Sequence, residues 1–511
     1  MKDKNFYITT PIYYPSGNPH MGHAYSSILA DVFARFYRND NKNVFFLTGT
    51  DEHGLKIQKS AEKEGLDPLL YCNKISKVFR DLTKNLNLSN DDFIRTTEKR
   101  HHTSVNNLWN RLVESGDIYL SKYKGWYSIS DEAYYNDDEV VEKNGRKIST
   151  FSGSTVNWVE EESFFFKLSA WEKKLIDFYN KNDKFILPIS RRNEVIKFVK
   201  GGLKDLSISR TSFTWGIKTP KNNDHVIYVW LDALTNYLSA LNYPNENDDL
   251  YKNFWPASLH VIGKDILRFH AIYWPAFLLA AKIEPPKRIY GHGWILSGDE
   301  KMSKSKGNIL NPIEIIEKYG IDQLRYYLMK EVSHGSDGNI SLKSLENCIN
   351  SDLANNYGNL CQRIFSFVKN NCANKVKKNI KTSIQDKTLI KETNNLTKNL
   401  RVEMGNQNLN FYIKSTINIS FLTNKYINDE EPWKLKKTNL DKMSNILHLS
   451  LEQIAKISIL LNPIIPIATT KVLDSLNIPK KNRNLSFLDG KNILQDFVEI
   501  KDLTILFKKV V

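Results

Sequence analysis

Residues 5–38 read NFYITTPIYYPSGNPHMGHAYSSILADVFARFYR and contain the clearest signal for the fold class. From Asn5 to Ile12 it is apolar and aromatic enough for a buried strand. From Gly22 to Arg38 apolar side chains recur at every fourth position, which is the spacing of one face of a helix. The turn-forming residues Pro, Ser, Gly and Asn separate the two segments. The order strand, turn, helix predicts the start of an α/β domain with a parallel sheet.

Further apolar runs at residues 44–47, 226–230 and 259–262 are read as later strands of this sheet. Polar residues follow each run, in the sequences TGTDEHG, LDALTNY and GKDILRFH. Because open α/β sheets bind ligands at the carboxyl ends of their strands, these polar clusters predict one ligand site along that edge.

Two other parts of the chain have a different character. Residues 118–223 are rich in aromatic and acidic side chains and predict a domain inserted into the sheet domain, with a hairpin turn signal at Lys143-Asn144-Gly145-Arg146. After about Ser341 helical patterns dominate, for example at residues 354–368 and 446–461. A Lys/Asn-rich break at residues 370–387 is interpreted as a long solvated connection within this helical part.

The overall composition is that of a globular protein with a basic surface. The chain has 511 residues, with 72 Lys and Arg against 57 Asp and Glu, which gives a net charge of +15. This excess suits a polyanionic partner such as nucleic acid, although an evenly solvated basic surface has the same composition. No apolar run approaches the roughly 18 residues of a membrane span, and the first residues leave no room for a signal or transit peptide, so we expect a cytoplasmic protein. The cysteines, Cys72, Cys348, Cys361 and Cys372, form no CxxC pair, which favours free thiols.

The histidines of PHMGH occupy the predicted start of the first helix. Unpaired N–H groups and the positive end of the helix dipole attract phosphate there. His20 and His23 are suited to donate hydrogen bonds to phosphate oxygens, and Gly22 would let a base or ribose approach the backbone. Two histidines at this position are also compatible with simple capping of the helix.

A second phosphate-binding signal lies far downstream, in ILSGDEKMSKSKGN at residues 295–308. Lys301 and Lys304 lie on a loop of small residues and are suited to close over a triphosphate and balance its developing charge. A loop of this kind is commonplace by itself. Together, HMGH and KMSKS resemble the two signature sequences of the class I aminoacyl-tRNA synthetases.

Blocks along nearly the whole chain resemble the methionyl-tRNA synthetase family. They are PIYYPSGNPHMGHAY, FLTGTDEHGLKI, YVWLDALTNYL, HVIGKDILRFHAIYWPA, GHGW, KMSKSKGN and NDEEPWKL. The resemblance implies a Rossmann-like α/β catalytic domain with an inserted connective domain and an all-α anticodon-binding bundle. It divides the chain into residues 1–117 and 224–297 for the two catalytic halves, 118–223 for the insert, 298–352 for the KMSKS loop and stem-contact region, and 353–511 for the bundle.

The activity that this resemblance implies is methionine–tRNA ligation. Methionine and Mg²⁺-bound ATP would form methionyl adenylate and pyrophosphate, and the methionyl group would pass to the terminal adenosine of tRNA(Met) for translation initiation and elongation. The residues implied for ATP are His20, Gly22, His23, Gly263, Asp265 and Lys304, with His20, His23, Lys301 and Lys304 as the catalytic set.

The same resemblance implies a methionine pocket and an anticodon site. The pocket residues would be Ile12, Tyr14, Asp51, Trp230, Ala233, Tyr237, Ile266 and His270. Aromatic rings suit the polarizable thioether and a carboxylate suits the ammonium group, although such rings also fill cores. The anticodon residues would be Asn359, Arg363 and Trp433. Amide and guanidinium groups bind base edges and indole stacks on bases, although Asn and Trp also cap and pack helix bundles.

The chain departs from many members of that family in two ways. No cysteine lies between Cys72 and Cys348 and no histidine lies in the insert, so we expect no zinc knuckle. The chain ends at Val511 without an appended dimerisation barrel, so we expect a monomer.

Three alternatives stay open at this stage. The first is another class I synthetase. Those for isoleucine, valine and leucine carry a large editing insert, and the cysteine enzyme needs zinc-binding cysteines, which this chain lacks. A small-molecule nucleotidyltransferase would lack the helical tail, and a catalytically dead RNA-binding paralogue would have no need of intact His20, His23, Asp51, Lys301 and Lys304.

Overall fold

The computed structural model describes most of the chain. It covers residues 4–15, 17–131, 133–143, 145–220, 222–297, 300–301, 310–333, 335–378 and 382–510, with the backbone alone at 133–134, 297 and 300–301.

The strands, in chain order, are β1 (Asn5–Thr9), β2 (Asn43–Thr50), β3 (Asp92–Arg95), β4 (Ile118–Ser128), β5 (Ala133–Tyr135), β6 (Val140–Lys143), β7 (Arg146–Ser149), β8 (Asn157–Phe166), β9 (Ile186–Leu187), β10 (Leu206–Ser207), β11 (Ser209–Arg210), β12 (Lys218–Thr219), β13 (Asn222–Ile227), β14 (Leu259–Gly263), β15 (Ile289–His292), β16 (Ile295–Ser297), β17 (Glu300–Lys301), β18 (Gly338–Asn339), β19 (Lys375–Lys377) and β20 (Phe497–Glu499).

The α-helices, in chain order, are α1 (Met21–Asn39), α2 (Leu55–Lys63), α3 (Pro68–Asn85), α4 (Lys99–Glu114), α5 (Glu172–Lys181), α6 (Ile189–Lys200), α7 (Val229–Leu234), α8 (Asn236–Ser239), α9 (Asp249–Phe254), α10 (Trp274–Ala280), α11 (Pro312–Tyr319), α12 (Ile321–Glu331), α13 (Leu342–Cys348), α14 (Asn359–Cys372), α15 (Ile384–Thr397), α16 (Leu400–Gly405), α17 (Leu409–Glu430), α18 (Leu440–Leu461) and α19 (Pro466–Ser475). Two segments, Phe269–Tyr273 and Ile349–Gly358, are π-helical.

The chain forms two compact units. Unit 1 comprises residues 1–19, 45–84 and 90–291, and unit 2 comprises residues 20–44, 85–89 and 292–511. In unit 1, six of the described strands form one sheet in the order β3-β2-β1-β14-β15-β9. The pairs β1 with β14, β2 with β3 and β15 with β9 are parallel. This sheet confirms the predicted parallel-sheet α/β class.

The strand and helix that were predicted from the opening stretch are present. β1 ends at Thr9, before the predicted limit of Ile12, and Pro11, which follows two residues later, has no N–H to donate to a ladder. α1 extends one residue beyond the predicted helix at each end, and 14 of its residues are buried. The hairpin signal is also confirmed, because β6 and β7 pair antiparallel with Lys143 opposite Arg146.

One predicted strand of the parallel sheet is wrong. The apolar run at residues 226–230 is divided between β13, which pairs antiparallel with β11 and β12, and the first turn of α7, which begins at Val229. Residues 226–229 are buried in both settings, and apolar character alone does not distinguish a buried strand from a buried helix.

The region predicted as an insert contains small antiparallel sheets, in the orders β10-β8-β4-β5 and β6-β7. Its strand β9 nevertheless pairs with β15 at the edge of the main sheet, and β13 crosses the predicted limit at residue 223. The domain boundaries given above therefore stay predictions.

Unit 2 is largely helical. Its helix α18 is buried along almost its whole length and packs against α14, α17 and α19, as a central helix of a bundle does. The Lys/Asn-rich break was predicted as solvated connection throughout. That prediction is wrong at residues 370–372 and 384–387, which belong to α14 and α15. It is also wrong at residues 375–377, because β19 pairs antiparallel with β20 near the chain end, with Val376 opposite Val498.

A buried ion pair links the elements of unit 2. Arg325 of α12 is fully buried and donates to Asp31 of α1 at 2.6 Å. Three of its other N–H groups donate to the backbone oxygens of Leu86, Pro463 and Ile464. A buried guanidinium is tolerated when its donors are satisfied in this way.

Within the described residues, no helix is both long enough and apolar enough to span a membrane.

Candidate active site

The histidines of the opening stretch cap helix α1. His20 is the N-cap, and its Nδ1 accepts a hydrogen bond from the Gly22 N–H at 3.1 Å. His23 Nδ1 accepts one from the His20 N–H at 3.1 Å, and the two rings stack with their centroids 3.8 Å apart. Because both Nδ1 atoms are acceptors, the neutral rings carry their protons on Nε2. The capping interpretation is therefore correct, and each ring carries its proton on Nε2.

The protonation state of His23 is determined by its surroundings in the fold. Its pKa is lowered well below the ordinary histidine value, chiefly because the ring is withdrawn from water and secondly because His20 is adjacent. The helix N-terminus, with its positive dipole end, disfavours an imidazolium as well. His23 is therefore a neutral hydrogen-bond donor near pH 7.

Gly22 has a structural role that the sequence did not reveal. A Cβ atom at this position would lie 2.9 Å from Cε1 and 3.1 Å from Nδ1 of His20. The glycine therefore makes room for the His20 ring in its capping position. Its predicted role of admitting a base or ribose stays a prediction.

A histidine of the GHGW block, at the end of β15, contacts the same helix. His292 Nε2 lies 2.7 Å from the Ser26 hydroxyl, and Tyr25 packs edge-on against the His292 ring. In the second signature, the Lys301 backbone belongs to β17, with Leu296 of β16 as its partner. Lys304 lies outside the described residues.

In unit 1, the predicted pocket residues Tyr237 and His270 are joined. The Tyr237 hydroxyl lies 2.8 Å from His270 Nε2, and His270 Nδ1 lies 3.0 Å from the Ile266 carbonyl oxygen. The carbonyl only accepts, so Nδ1 carries the proton and Nε2 accepts from Tyr237. Burial lowers the pKa of His270 to about 4, which keeps this ring neutral. Both side chains are thus fixed in orientation.

Trp230 has a partner that sequence reasoning missed. Its ring stacks on Phe269 with the centroids 3.6 Å apart and an angle of 9° between the planes. Phe269 and His270 both belong to the π-helical segment Phe269–Tyr273, a conformation that is frequent at functional sites. Trp230 and Ala233 lie on α7, and Ala233 is buried. Phe269 directly precedes His270 in the RFHAIYWPA block, which was the available signal.

Asp51 and Tyr14 form another part of the predicted pocket. Asp51 is buried at the end of β2, and its N–H donates to the Tyr13 carbonyl at 2.9 Å. Tyr14 is half-buried and donates its hydroxyl proton to the His53 carbonyl at 3.0 Å. Ile12 is half-buried and packs against the main core of unit 1.

The residues after Asp51 form a polar network that was not predicted. Glu52 is fully buried and accepts two hydrogen bonds from Arg95, at 2.7 and 2.9 Å. His53 Nδ1 lies 2.6 Å from Asp232 of α7, and the same carboxylate lies 2.7 Å from His101 Nε2. The adjacent acidic and histidine residues of TDEHG were the only sequence signal for it.

The two remaining ATP candidates of unit 1 lie at the carboxyl end of β14. Gly263 is the last residue of that strand and is buried. Asp265 lies on the 3₁₀ turn Lys264–Ile266 and is exposed. An exposed carboxylate at the carboxyl end of a strand is suited to a ribose hydroxyl, which is compatible with the predicted ATP role of Asp265.

In unit 2, the predicted anticodon residues Arg363 and Trp433 lie together. The Arg363 guanidinium carbon lies 6.0 Å from the centroid of the Trp433 ring, and Nη2 donates to the Asn428 side chain at 2.9 Å. Trp433 is 39% exposed. Asn359 is exposed one turn before Arg363 on α14.

Comparisons with known proteins agree along the whole chain. A family model described as "tRNA synthetases class I (M)" matches residues 6–365, and one described as "Anticodon binding domain of methionyl tRNA ligase" matches residues 376–511. The chain is 48% identical over 508 residues to the methionine–tRNA ligase of Rickettsia typhi, with 99% of each chain covered. It is 46% identical over 487 residues to that of Brucella suis, with 95% of this chain and 94% of the relative covered.

A solved structure is similar over the same length. The Mycobacterium tuberculosis methionyl-tRNA synthetase in complex with methionyl-adenylate matches with a TM-score of 0.96 and 42% identity, and 99% of each chain is covered.

The chain therefore belongs to the class I aminoacyl-tRNA synthetases. Within that class it is a member of the methionyl-tRNA synthetase family. The predicted family, fold class and ligase activity are confirmed at this level, and the alternatives considered above fall away. The assignment of individual site residues stays a prediction.

Proposed function

We propose that this chain carries out both steps of methionine–tRNA ligation with the residues described above. In the first step the methionine carboxylate oxygen bonds to the α-phosphorus of Mg²⁺-bound ATP, and the bond from that phosphorus to pyrophosphate breaks. In the second step the 2′-hydroxyl of the terminal adenosine of tRNA(Met) attacks the methionyl carbonyl, and AMP leaves. No covalent enzyme intermediate is needed, because both steps depend on orientation and charge stabilisation.

The observation that carries the first step is the pair of fixed, neutral histidines at the start of α1. Their Nε2 protons are suited to donate to phosphate oxygens as charge develops, and Lys301 and Lys304 are proposed to balance the charge of the leaving pyrophosphate. Gly22, Gly263 and Asp265 complete the proposed ATP site.

The aromatic residues of unit 1 support methionine as the amino acid. Trp230 stacked on Phe269, and Tyr237 bonded to His270, offer ring faces and edges of the kind that bind a thioether. Asp51 is proposed to bind the substrate ammonium group as a charge-assisted hydrogen-bond acceptor. Ile12, Tyr14, Ala233 and Ile266 are proposed as the remaining walls.

The RNA partner is proposed to be tRNA(Met), read through Asn359, Arg363 and Trp433. The proximity of a guanidinium to a partly exposed indole supports this assignment, since unpaired bases are bound by stacking and by edge hydrogen bonds. We also propose that the chain acts as a monomer in the cytoplasm and needs Mg²⁺ but no zinc.

One assay tests the activity directly. Incorporation of labelled pyrophosphate into ATP is measured with each of the twenty amino acids, with Mg²⁺ present and no added zinc. We expect exchange that depends on methionine. If methionine supports no exchange while another amino acid does, the proposed substrate is wrong.

A further inference from the structure

We infer that Asp232 is a positioning residue. Through its hydrogen bond to His53, it keeps the two walls of the proposed methionine pocket in a fixed position relative to each other. This inference rests on the proposed function, because it assumes that Asp51, Tyr14, Trp230 and Ala233 form those walls. Asp232 itself is fully buried. It acts on the substrate only through the groups that it holds.

The carboxylate of Asp232 makes two short hydrogen bonds to two different elements. Oδ2 lies 2.6 Å from Nδ1 of His53, which belongs to the turn after β2. Oδ1 lies 2.7 Å from Nε2 of His101, which belongs to α4. Both imidazoles are buried as well. Burial alone would raise the pKa of Asp232, but His53 and His101 hold the pKa below its ordinary value, so the carboxylate is charged and accepts from both rings.

The His53 bond links the two proposed pocket walls. On one side, His53 follows Asp51 by two residues, and its carbonyl accepts the hydroxyl proton of Tyr14. On the other side, Asp232 lies on α7 between Trp230 and Ala233. The hydrogen bond between Asp232 and His53 therefore ties the turn that carries the ammonium-binding carboxylate to the helix that carries the indole.

The neighbouring Glu52 has a different function in this turn. Its carboxylate is held by Arg95 and by the hydroxyls of Thr50 and Thr97. The Arg95 and Thr97 contacts fix the turn to residues at and after the end of β3, whereas the His53 bond fixes it to α7. Loss of the His53 bond should thus leave the turn folded while it shifts relative to Trp230.

His101 provides a matched control. It has the same side chain as His53, it bonds the same carboxylate at a similar distance, and it is equally withdrawn from solvent. It lies on α4, which supplies none of the proposed pocket residues. Removal of either imidazole deprives Asp232 of one charge-assisted hydrogen bond, so the stability costs should be similar. Only the loss of His53 should weaken the affinity for methionine.

The test compares His53→Ala, Asp232→Ala and His101→Ala in the pyrophosphate exchange assay, with the KM for methionine and for ATP measured separately. A charge-assisted bond that positions a substrate group changes affinity by about tenfold or more. We expect His53→Ala and Asp232→Ala to raise the methionine KM by at least about tenfold, with the ATP KM within about twofold of wild type. His101→Ala should lower the melting temperature and leave the methionine KM within about twofold.

The conservative variant Asp232→Asn adds a readout that general loss of packing would not give. Its amide oxygen accepts from His53, and its NH₂ group donates to His101 Nε2 once His101 moves its proton to Nδ1, where Ser239 Oγ lies 2.9 Å away. We therefore expect Asp232→Asn to restore most of the methionine affinity that Asp232→Ala loses. A double variant, His53→Ala with Asp232→Ala, should raise the methionine KM no further than either single change.

Several results would overturn the inference. An unchanged methionine KM in His53→Ala refutes it, as does a rise in His101→Ala equal to that in His53→Ala. If His53→Ala does not fold, His53→Phe keeps a ring of similar shape without the N–H donor and is judged by the same KM criterion. Absence of methionine-dependent exchange in the wild-type chain would instead refute the proposed function, so the two failures are distinguishable.

Discussion

Replacement of Gly22 with Ala should separate the proposed catalytic role of His20 from the stability of helix α1. The added Cβ would lie 2.9 Å from Cε1 of the His20 ring, whereas carbon atoms in contact are ordinarily about 3.5–4.0 Å apart. The ring must therefore retreat by roughly 0.5–1 Å. The hydrogen bond from the Gly22 N–H to His20 Nδ1 is already 3.1 Å long, so such a shift breaks it.

The effects on stability should nearly cancel. Loss of one capping hydrogen bond costs about 1 kcal/mol, and the change from Gly to Ala inside a helix returns up to about 1 kcal/mol. The melting temperature should therefore change by no more than a few degrees. The effect on catalysis should be larger, because complete loss of a donor to a developing anion costs about 2.7–4 kcal/mol. A misplaced donor should lower kcat for pyrophosphate exchange by at least about tenfold.

The assay measures kcat at saturating methionine and ATP, with active sites counted by adenylate formation. Gly405→Ala is the matched control, since that glycine lies on α16 and a Cβ there would meet nothing within 4 Å. We expect this control to keep the wild-type kcat. If Gly22→Ala keeps kcat within about twofold of wild type, the capped position of His20 is not the catalytic one.

Three further predictions concern the proposed anticodon site, the pH dependence of stability and the metal requirement. Trp433→Ala should lower kcat/KM for tRNA charging by about 5- to 150-fold, which is the loss of binding free energy expected for one stacked base, and should leave pyrophosphate exchange nearly intact. Equal loss of both activities would contradict the anticodon assignment. Burial lowers the pKa of His270 to about 4, so the unfolded chain binds more protons than the folded one between about pH 4 and pH 6.5. The contribution of the neutral His270 ring to the free energy of unfolding is therefore present above that window and is lost as pH falls through it. The loss between about pH 7 and pH 5 is about 2 kcal/mol, and His270→Asn should show a smaller drop in melting temperature over that interval. EDTA should abolish exchange and Mg²⁺ restore it, whereas a zinc-selective chelator in excess Mg²⁺ should have no effect; inhibition by that chelator would refute the zinc-free prediction.

Local patterns in the sequence predicted those elements for which the hydrophobic spacing and the turn residues indicate the same structure. β1, α1 and the β6–β7 hairpin follow from hydrophobic spacing and from a turn that contains glycine. The run at residues 226–230 was misassigned because a buried strand and a buried helix start have the same apolar composition. The strand β19 was missed because its pairing partner lies more than a hundred residues away, at β20. Long-range pairing of this kind has no local signal.

For the candidate site, the sequence motifs predicted individual residues but not the long-range contacts between them. Trp230, Tyr237 and His270 follow from motif blocks, and the structure joins Tyr237 to His270. The contacts that hold these side chains were not predictable from the blocks. The bond from Asp232 to His53 spans 179 positions and joins residues whose individual sequence settings give no indication of each other.

The choice between packing and function is not exclusive for the histidines of this protein. His20 and His23 cap α1 through Nδ1, and because of that their protons lie on Nε2. His270 is held through Nδ1 by a backbone carbonyl, and because of that its Nε2 accepts from Tyr237. In each case a structural hydrogen bond at one ring nitrogen determines whether the other nitrogen donates or accepts. The contacts that would identify these residues as merely structural are thus the ones that give each imidazole a defined chemical role.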